Sequence, residues 1–547
     1  MRVPANMTDR PTEFHDSVSA RPPLWMAGLL LTLVLVSFVV RLPGMVEPLG
    51  PDQGVYATMG WGLQRGLALY RDLWEQKPPA IYLTYRVALD VFGDRMSAVF
   101  WIDFLASALT VAVMFDIGRR LAGLRFGSLV ALAVALGTLP GARYTLGGFL
   151  ERGVTETFVI PLAALAMWTA VFAMTRSRDG WLFVGGLCVG AAATYKQTAL
   201  IYWPALVVWV WWVADFRRAR RAALYSGLGV IVVPALAFAW LWQRGVLEDA
   251  WIALVRYNVA YLAVGGHGFG YTLDRVAHET WRRVKTDEAW AAGSIAAVAA
   301  AVFVGRRRTG QAMWVPALGL VWLIAAAVAL VANGPRVFAT YFMPPLIPMC
   351  LMFAWAIDET LLASGRARRI AGAGLLVFTA IMLARSGGLF RLFDATCWDT
   401  AVVVGHIDRS TYLERYQSRS AGAYSAADNE RLADYLRERT PQGEPIYVFG
   451  MSAGTYFLSG HPPAVKFLWA YPPVSNMIDR PDFHVETLAA NLARVAPRYI
   501  VLQRHNGDSF TGWRAEQAFH APPLVAVLRN YYQETEIGDF VLYRRQS

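Results

Sequence analysis

Long apolar runs separated by short basic clusters dominate the first 390 residues of this chain. A helix needs about 20 mostly apolar residues to cross the ~30 Å hydrocarbon core of a membrane. We predict about eleven such helices, with approximate bounds 24–40, 96–117, 125–141, 157–174, 181–195, 198–214, 224–242, 289–305, 312–332, 338–356 and 370–386. The first run is not a simple secretory signal, because it lacks a small-residue cleavage site and further spans follow.

The arginines indicate how the spans are oriented, because short cytoplasmic loops are enriched in Lys and Arg. If the N-terminal tail is cytoplasmic, every basic cluster between spans also falls on that side. The clusters are Arg119, Arg120 and Arg125; Arg176 and Arg178; Arg217, Arg218, Arg220 and Arg221; Arg306, Arg307 and Arg308; and Arg366, Arg368 and Arg369. The pattern requires that 78–93 does not cross, so we predict an interfacial helix there, on the outer surface. The odd number of spans then places everything after about 387 outside.

The chain therefore divides into a cytoplasmic tail (1–22), a transmembrane module (23–390) and an extracytoplasmic domain (391–547). The module has a first outer loop at 43–95 and a long outer loop at 243–288. The last domain has the pattern of a soluble α/β unit, because short β-type segments alternate with helical ones. We expect strands at 444–450, 498–503 and 538–543, and helices near 426–439 and 484–495.

Composition agrees with a membrane protein. Hydrophobic residues make up 56% of the chain and charged residues 17%, with a mean hydropathy of +0.35, which excludes an ordinary soluble enzyme and a disordered chain. The net charge of +11 comes mostly from the arginines between apolar runs, so it reflects topology and no nucleic-acid partner is expected. We expect a multi-pass protein of a bacterial inner (plasma) membrane, in contact with membrane lipids.

Two charged residues in the first outer loop are the leading candidates for chemistry. Asp52 follows Gly50-Pro51 just past the first span, and Lys77 precedes Pro78-Pro79. Asp52 is a candidate base, although Asp is also a favoured helix N-cap. Lys77 is suited to a phosphate, although a lysine at this depth also binds lipid headgroups non-specifically. Tyr56 follows on the same helix, where an aromatic residue is also a common interface anchor.

Further polar residues lie at the outer ends of later spans. A carboxylate at a membrane edge is functional by default, and this favours Glu156, although the helix dipole also stabilises a Glu at that position. Basic residues are usually enriched on the cytoplasmic side, so a lysine or arginine on the outer side indicates an anionic ligand. For the arginines, anchoring to lipid headgroups is the alternative explanation. The candidates for binding a donor phosphate or sugar are Tyr56, Lys77, Arg152, Glu156, Lys196, Gln197, Arg336 and Tyr341.

The long outer loop is a candidate lid, because four glycines surround His267 and such a loop is suited to movement. Its candidate contact residues are Arg256, Tyr257, Tyr261 and His267. His267 has no His or Cys nearby at metal-ligand spacing, so a zinc site is not expected. We expect no cofactor and leave a divalent cation open.

Several motifs, in this order, resemble the lipid-linked-sugar glycosyltransferases of the GT-C superfamily. The nearest groups are the bacterial relatives of protein O-mannosyltransferases and of the lipid A aminoarabinose transferase. The motifs are Asp52-Gln53-Gly54-Val55-Tyr56, Gly66 to Tyr70-Arg71-Asp72, Gln76-Lys77-Pro78-Pro79, Thr155-Glu156-Thr157-Phe158, Tyr195-Lys196-Gln197, and Arg336 with Tyr341. The resemblance covers roughly residues 20–390. Family members usually begin the first loop with Asp-Glu, so Gln53 replaces a second acid here.

The resemblance implies a membrane enzyme that moves a sugar from a polyprenyl phosphate to an acceptor hydroxyl on the extracytoplasmic face. Lys77, with Arg336 or Lys196, would stabilise the leaving phosphate, and Asp52 would take the proton of the hydroxyl. Direct displacement would invert the anomeric centre. The acceptor, whether lipid, glycan or protein, stays open. A transporter or flippase for the lipid-linked sugar and a glycan-binding scaffold are the alternatives.

Overall fold

The computed structural model describes residues 24–138, 152–264, 268–306, 310–361, 365–386, 388–416, 424–508 and 511–546. Helices form almost all of the part before residue 404. They are α1 Leu24–Val39, α2 Pro51–Gln64, α3 Ala80–Phe92, α4 Ser97–Ala122, α5 Leu124–Gly137, α6 Thr155–Arg176, α7 Trp181–Ala193, α8 Tyr202–Val213, α9 Phe216–Gln243, α10 Leu247–Trp251, α11 Tyr257–Ala263, α12 Phe269–Thr286, α13 Glu288–Arg306, α14 Trp314–Ala332, α15 Leu346–Leu361, α16 Arg366–Ser386 and α17 Gly388–Val403.

Each of the eleven apolar runs contains a helix, but the helices differ in length. Six are long and apolar enough to cross a membrane, or seven if a pair bent by 46° counts as one span, within the described ranges. The six are Ser97–Ala122, Thr155–Arg176, Phe216–Gln243, Glu288–Arg306, Gln311–Ala332 and Ala339–Thr360, and the bent pair is Arg369–Arg385 with Phe390–Val403. Four shorter apolar helices are Leu24–Val39, Leu124–Gly137, Trp181–Ala193 and Gln197–Val213. The total of eleven crossings stays a prediction.

Small residues set the closest helix contacts. A Cβ on Gly186 of α7 would lie 1.9 Å from the Ser226 carbonyl oxygen of α9, and one on Gly229 would lie 2.2 Å from the Phe183 carbonyl oxygen. Only glycine allows two backbones to approach this closely, a common device between helices in membranes. The opposite face of α9 carries exposed apolar side chains such as Leu228, Ile231 and Leu236, as expected of a lipid-facing surface.

The two segments predicted as outer loops, 43–95 and 243–288, are more regular than loops usually are. The predicted interfacial helix at 78–93 is present as α3, with Tyr82, Tyr85 and Leu89 buried and Arg86 and Asp90 outward. The long loop at 243–288 is mostly helical, since α10, a π-helix at Ile252–Arg256, α11 and α12 occupy most of it. Most of the predicted long loop is therefore helical, while 265–267 at its glycine-rich centre lies outside the described residues, and its role as a lid stays a prediction.

The C-terminal part contains a four-stranded mixed sheet. Its elements are α18 Arg409–Leu413, α19 Ala426–Arg439, β1 Ile446–Phe449, α20 Gly454–Ser459, α21 Tyr471–Val474, α22 Val485–Val495, β2 Tyr499–Gln503, β3 Gly507–Asp508, β4 Trp513–Arg514, α23 Ala515–Phe519, α24 Pro522–Leu528, β5 Tyr531–Ile537 and β6 Phe540–Arg545. The order is β1-β2-β6-β5, with β1 and β2 parallel and the other pairs antiparallel. The predicted strands and helices correspond to β1, β2, β6, α19 and α22.

This sheet domain packs directly on the first outer loop. The Thr58 hydroxyl donates to the Ala453 carbonyl (2.8 Å), and the Trp74 N–H donates to the Lys466 carbonyl (2.8 Å). Between α2 and α20 the two backbones touch at Gly54 and Gly454. A single apolar core runs from the first loop into β1, β2 and β6, so the loop is held between the membrane helices and the sheet domain.

Candidate active site

Asp52 lies in the first turn of α2, one residue after the helix begins. Gly50 is the N-cap residue and Pro51 the first helical residue, so the N-cap interpretation of Asp52 is wrong. The cap is instead completed by Gln53, whose Oε1 accepts from the Gly50 N–H (2.7 Å) while its Nε2 donates to the Arg152 carbonyl (2.7 Å). A glutamate could not donate that second bond, which gives Gln53 a structural role. The Asp52 carboxylate therefore does not cap the helix.

The Asp52 side chain is accessible, although dense protein surrounds it. Within the described ranges no side chain donates a hydrogen bond to its carboxylate. Burial raises the pKa of Asp52 above the ordinary aspartate value, and the Lys77 charge partly opposes this. The charges of Glu75, Glu156 and Lys196 also act on it, so these groups lie near one another. We name the region between them the cleft.

Lys77 is held by its backbone on both sides. Its N–H donates to Glu75 Oε2 (2.8 Å), and its carbonyl accepts from the Tyr70 hydroxyl (2.9 Å). Tyr70 is fully buried at a left-handed φ of 66°, a conformation that costs about 1–3 kcal/mol for a residue other than glycine. The ammonium is partly exposed. Its nitrogen lies 3.9 Å from a Glu75 carboxylate oxygen, which is a long distance for an ion pair. Burial would lower the pKa of Lys77, but the Glu75 and Asp52 carboxylates outweigh burial and raise it.

Tyr56 is a core residue, so its alternative role as a membrane-surface anchor is wrong. It is 2% exposed and packs between the rings of Tyr82 and Tyr85, with centroids 6.0 and 5.7 Å away. Tyr82 in turn donates to Glu75, and Tyr85 donates to the Gly153 carbonyl (2.9 Å). These rings form the wall beneath Asp52 and Lys77, and direct donor binding by Tyr56 stays a prediction.

Glu156, Lys196 and Tyr341 form the second charged group of the cleft. Glu156 opens α6 and pairs with the Lys196 ammonium, and its other oxygen accepts from the Thr155 hydroxyl (2.8 Å). The ammonium also lies 3.6 Å from the centre of the Tyr341 ring. Both charged side chains are nearly buried, at 5% and 12% exposure. The structure brings these three predicted residues together, and their role in donor binding stays a prediction.

Arg336 links the membrane module to the sheet domain. Its guanidinium donates to Asp508 of β3 (2.6 Å) and stacks 3.8 Å above the ring of Tyr261. The charges of Asp52, Glu156 and Arg336 all act on Tyr341, so the arginine faces the same cleft. Tyr257 is fully buried and packs against Trp74, with 4.7 Å between the two ring centroids.

Three predicted residues lie apart from the cleft centre. Arg152 is buried and pairs with Asp103 (2.7 Å), which also lies 3.7 Å from Arg41, so its described ion pair is intramolecular. Gln197 is exposed and donates to the Leu254 carbonyl (3.3 Å). Arg256 is exposed at the end of the π-helix. The roles of these residues in donor binding or as a lid stay predictions.

His267 lies outside the described residues. In the described ranges no group of three or more His, Cys, Asp or Glu side chains is placed to share a metal ion. The requirement for a divalent cation was left open by the sequence and stays open.

The sequence analysis missed three acids. Glu75 has a local signal, because it stands two residues before Lys77 in the same loop. Asp103 has a weaker one, because it is a carboxylate inside an apolar span. Asp508 has no local signal, because it lies 172 residues from Arg336 in the chain.

An apolar groove of about 840 Å³ begins at Pro78 and Pro79, directly after Lys77. Its walls include Phe238 of α9 and Trp251 of α10, which are 55% and 58% exposed. The groove is therefore mostly apolar, is lined by exposed aromatic side chains, and begins at the two prolines that follow Lys77 in the chain.

A known protein family and several characterised proteins match parts of this chain. The model of the dolichyl-phosphate-mannose-protein mannosyltransferase family matches residues 76–242. The undecaprenyl phosphate-alpha-4-amino-4-deoxy-L-arabinose arabinosyl transferase 2 of Pseudomonas fluorescens is 24% identical over 367 residues, 64% of this chain and 62% of that protein. The corresponding transferase of Pseudomonas aeruginosa is 24% identical, over 56% of this chain and 54% of that protein. The matched part thus spans less than two thirds of either relative.

Solved structures show the same fold along almost the whole chain. ArnT from Cupriavidus metallidurans, bound to undecaprenyl phosphate, has a TM-score of 0.57 at 14% identity and covers 95% of this chain and 97% of that one. The apo oligosaccharyltransferase of Archaeoglobus fulgidus has a TM-score of 0.52 at 13% identity, over 96% of this chain and 74% of that one. The first-loop motifs, the relatives and the fold agree, and the chain resembles the GT-C superfamily glycosyltransferases.

Proposed function

We propose that this protein transfers a sugar from a polyprenyl phosphate donor to an acceptor hydroxyl at the extracytoplasmic membrane face. The observation that carries the proposal is the Asp52 carboxylate, accessible in a protein-walled cleft, with no hydrogen bond from a described side chain, beside the fixed Lys77. The relatives named above act on or bind undecaprenyl phosphate or its sugar conjugate, which supports this donor class.

Asp52 is the general base in this proposal. Burial raises the pKa of the Asp52 carboxyl, and a carboxylate with a higher pKa is a better proton acceptor than an ordinary aspartate. Its position in the first turn of α2 keeps the group on a rigid element. Positioned bases of this kind contribute roughly 10²–10⁴-fold to rate.

Lys77 stabilises the leaving phosphate. Negative charge grows on the phosphate as its bond to the sugar breaks, and a fixed cation there favours the transition state. Lys196 and Arg336 already have close carboxylate partners in Glu156 and Asp508, whereas the Lys77 ammonium is 3.9 Å from its acid. Lys77 is therefore the cation best placed to bind a phosphate, with the apolar groove beside it for the prenyl chain.

The transfer needs one displacement. The acceptor oxygen forms its bond to the anomeric carbon, its proton passes to Asp52, and the bond from the carbon to the phosphate oxygen breaks, releasing polyprenyl phosphate. One displacement inverts the anomeric centre. Glu156 and Glu75 are engaged with Lys196 and Tyr82, so neither is positioned as a covalent nucleophile.

The proposed orientation places the cleft outside the cytoplasm. It rests on the basic clusters between the spans, with the N-terminal tail cytoplasmic and the sheet domain outside. Lipid-linked sugars are suited to that side, because the lipid anchor holds the activated sugar where nucleotide sugars are absent.

Reconstitution tests this function. Proteoliposomes with the purified chain receive a radiolabelled, short-chain polyprenyl phosphate sugar and an extract of cell-envelope glycolipids. We expect labelled glycolipid and free polyprenyl phosphate in equal amounts. Lys77→Gln should raise the donor KM, while the control Lys285→Gln, on an exposed turn of α12, should not. Lipid-linked sugar that is moved across the bilayer unchanged would identify a flippase, and binding without turnover would identify a scaffold.

A further inference from the structure

A cavity of about 210 Å³ lies where the first outer loop meets the sheet domain. Gly50, Pro51 and Gly54 of the α2 start form one wall, and Asp52 belongs to this same turn. A single ordered water needs only about 10–15 Å³, so the cavity has room for a much larger ligand.

The opposite wall is the carboxyl end of two parallel strands. Ser452 follows β1, while Gln503 ends β2 and Asn506 follows it. In α/β sheets ligands bind outside the carboxyl ends of parallel strands, where loops can present polar groups. The sheet domain thus places a typical ligand-binding edge against the turn that carries the candidate base.

The lining is uncharged and combines apolar side chains with several polar ones. Among the described residues that form it, the polar side chains are Tyr424, Asn429, Ser452, Gln503 and Asn506, and the others are apolar or glycine. Amide and hydroxyl groups match the hydroxyls of a sugar, and apolar side chains such as Leu458 match its C–H faces. An anionic ligand would instead need a lysine or arginine.

One lining group has an unused hydrogen-bonding capacity. Asn506 is 7% exposed, and its Oδ1 has no hydrogen-bond partner in the described structure. Gln503, next to it, is satisfied, because its Oε1 accepts from the Met451 N–H (3.0 Å) and the Ser452 hydroxyl (3.3 Å). Buried polar groups are nearly always bonded, so a rotation of the Asn506 side chain that turns Oδ1 into the cavity would let a ligand supply the missing partner.

We propose that this cavity binds an uncharged sugar residue of the acceptor and presents its hydroxyl toward the turn of Asp52. The identification of this sugar as the acceptor rests on the proposed transferase function, whereas the binding itself does not. The proposal narrows the acceptor class to neutral glycans and glycolipid sugars, and it gives the sheet domain a substrate-binding role.

Saturation-transfer NMR on the full chain in nanodiscs, without any lipid-linked donor, tests the binding. The probes are the methyl glycosides of glucose, mannose and galactose, with glucose 1-phosphate as the anionic comparison. We expect at least one neutral glycoside to bind and the phosphate to bind more weakly. Asn506→Ala should weaken binding by about tenfold, the effect of losing one or two hydrogen bonds, and Asn530→Ala, on an exposed position of the same domain, should not.

Ser452→Ala is a second variant in case Asn506→Ala fails to fold, and it should also weaken binding. The proposal is overturned if no neutral glycoside binds, if glucose 1-phosphate binds best, or if the folded cavity variants bind like wild type. If a neutral glycoside binds but no sugar is transferred, the proposed function is rejected, while the cavity remains a binding site for a neutral sugar. Transfer that persists without binding would place the acceptor elsewhere.

Discussion

The contact between Gly54 and Gly454 makes a sharp prediction about how the two parts of the protein depend on each other. A Cβ added at Gly54 would lie 2.8 Å from the Gly454 Cα and 3.0 Å from its nitrogen. Ordinary van der Waals contact begins near 3.4 Å, so α2 and α20 must separate by about 0.6 Å or more. The obstacle is backbone, which cannot rotate away as a side chain would.

Overpacking of this kind costs about 1–3 kcal/mol. The separation also strains the bond from Thr58 to the Ala453 carbonyl, one turn further along α2. Gly54→Ala should therefore lower the free energy of unfolding by about 1–3 kcal/mol, with a larger relative loss of sugar transfer, because the cavity and the Asp52 turn share this joint.

Gly28→Ala is the matched control. Gly28 is an exposed helical glycine of α1 with nothing within 4 Å of an added Cβ, and alanine favours helix by up to about 1 kcal/mol. Unfolding by SDS titration in mixed micelles, followed by tryptophan fluorescence, measures both variants beside wild type. The reasoning is refuted if Gly54→Ala is as stable and as active as Gly28→Ala.

Three further predictions follow from the charges of the cleft. Burial raises the pKa of Asp52, so kcat/KM should decrease as the pH is lowered, with an apparent pKa above the ordinary aspartate value of ~3.9. An apparent pKa at or below that value would contradict the role of Asp52 as the base. A carboxyl with a raised native pKa binds more protons folded than unfolded, so its ionised form weakens the fold at neutral pH. Asp52→Asn should then raise the melting temperature. Asp72→Asn should lower it, because the hydrogen bonds from Arg71 and the Ala68 N–H, together with the Arg71 charge, outweigh burial and lower the pKa of Asp72; the reverse order would contradict the assignment. Lys196→Met leaves the buried Glu156 carboxylate without its cation and should lower the free energy of unfolding by about 3–5 kcal/mol. Adding Glu156→Gln should restore part of that loss; additive losses of stability in the double variant would show that the pair is not coupled.

Much of the helical part was predictable because its signal is local. Apolar runs fix where helices form, and the alternation of Tyr82, Tyr85 and Leu89 with Arg86 and Asp90 fixes the buried face of α3. The sheet domain was predictable at β1, β2 and β6, whose residues are mostly buried. Strand β5 was missed because Tyr531–Ile537 is an edge strand with many exposed polar residues.

The candidate site was predictable only where its members are close in sequence or lie at the ends of spans. Asp52 and Lys77 lie in one loop, and Glu156 and Lys196 border apolar runs. Asp508 reaches Arg336 from another domain, and Asp103 reaches Arg152 across the helix bundle, so neither partner could be inferred without the fold. The sequence also predicted Arg152 as a donor-binding residue; the structure describes its ion pair with Asp103, and the binding role stays a prediction.

The most direct test of the central claim is the rate of sugar transfer by Asp52→Asn in proteoliposomes, measured in a single turnover with saturating labelled donor. Asparagine keeps the size of the side chain and removes the proton acceptor, so the account predicts a rate about 10²–10⁴-fold lower, with donor binding and the folded state retained. A rate within a few-fold of wild type would contradict the account, because it would remove Asp52 from the proton transfer.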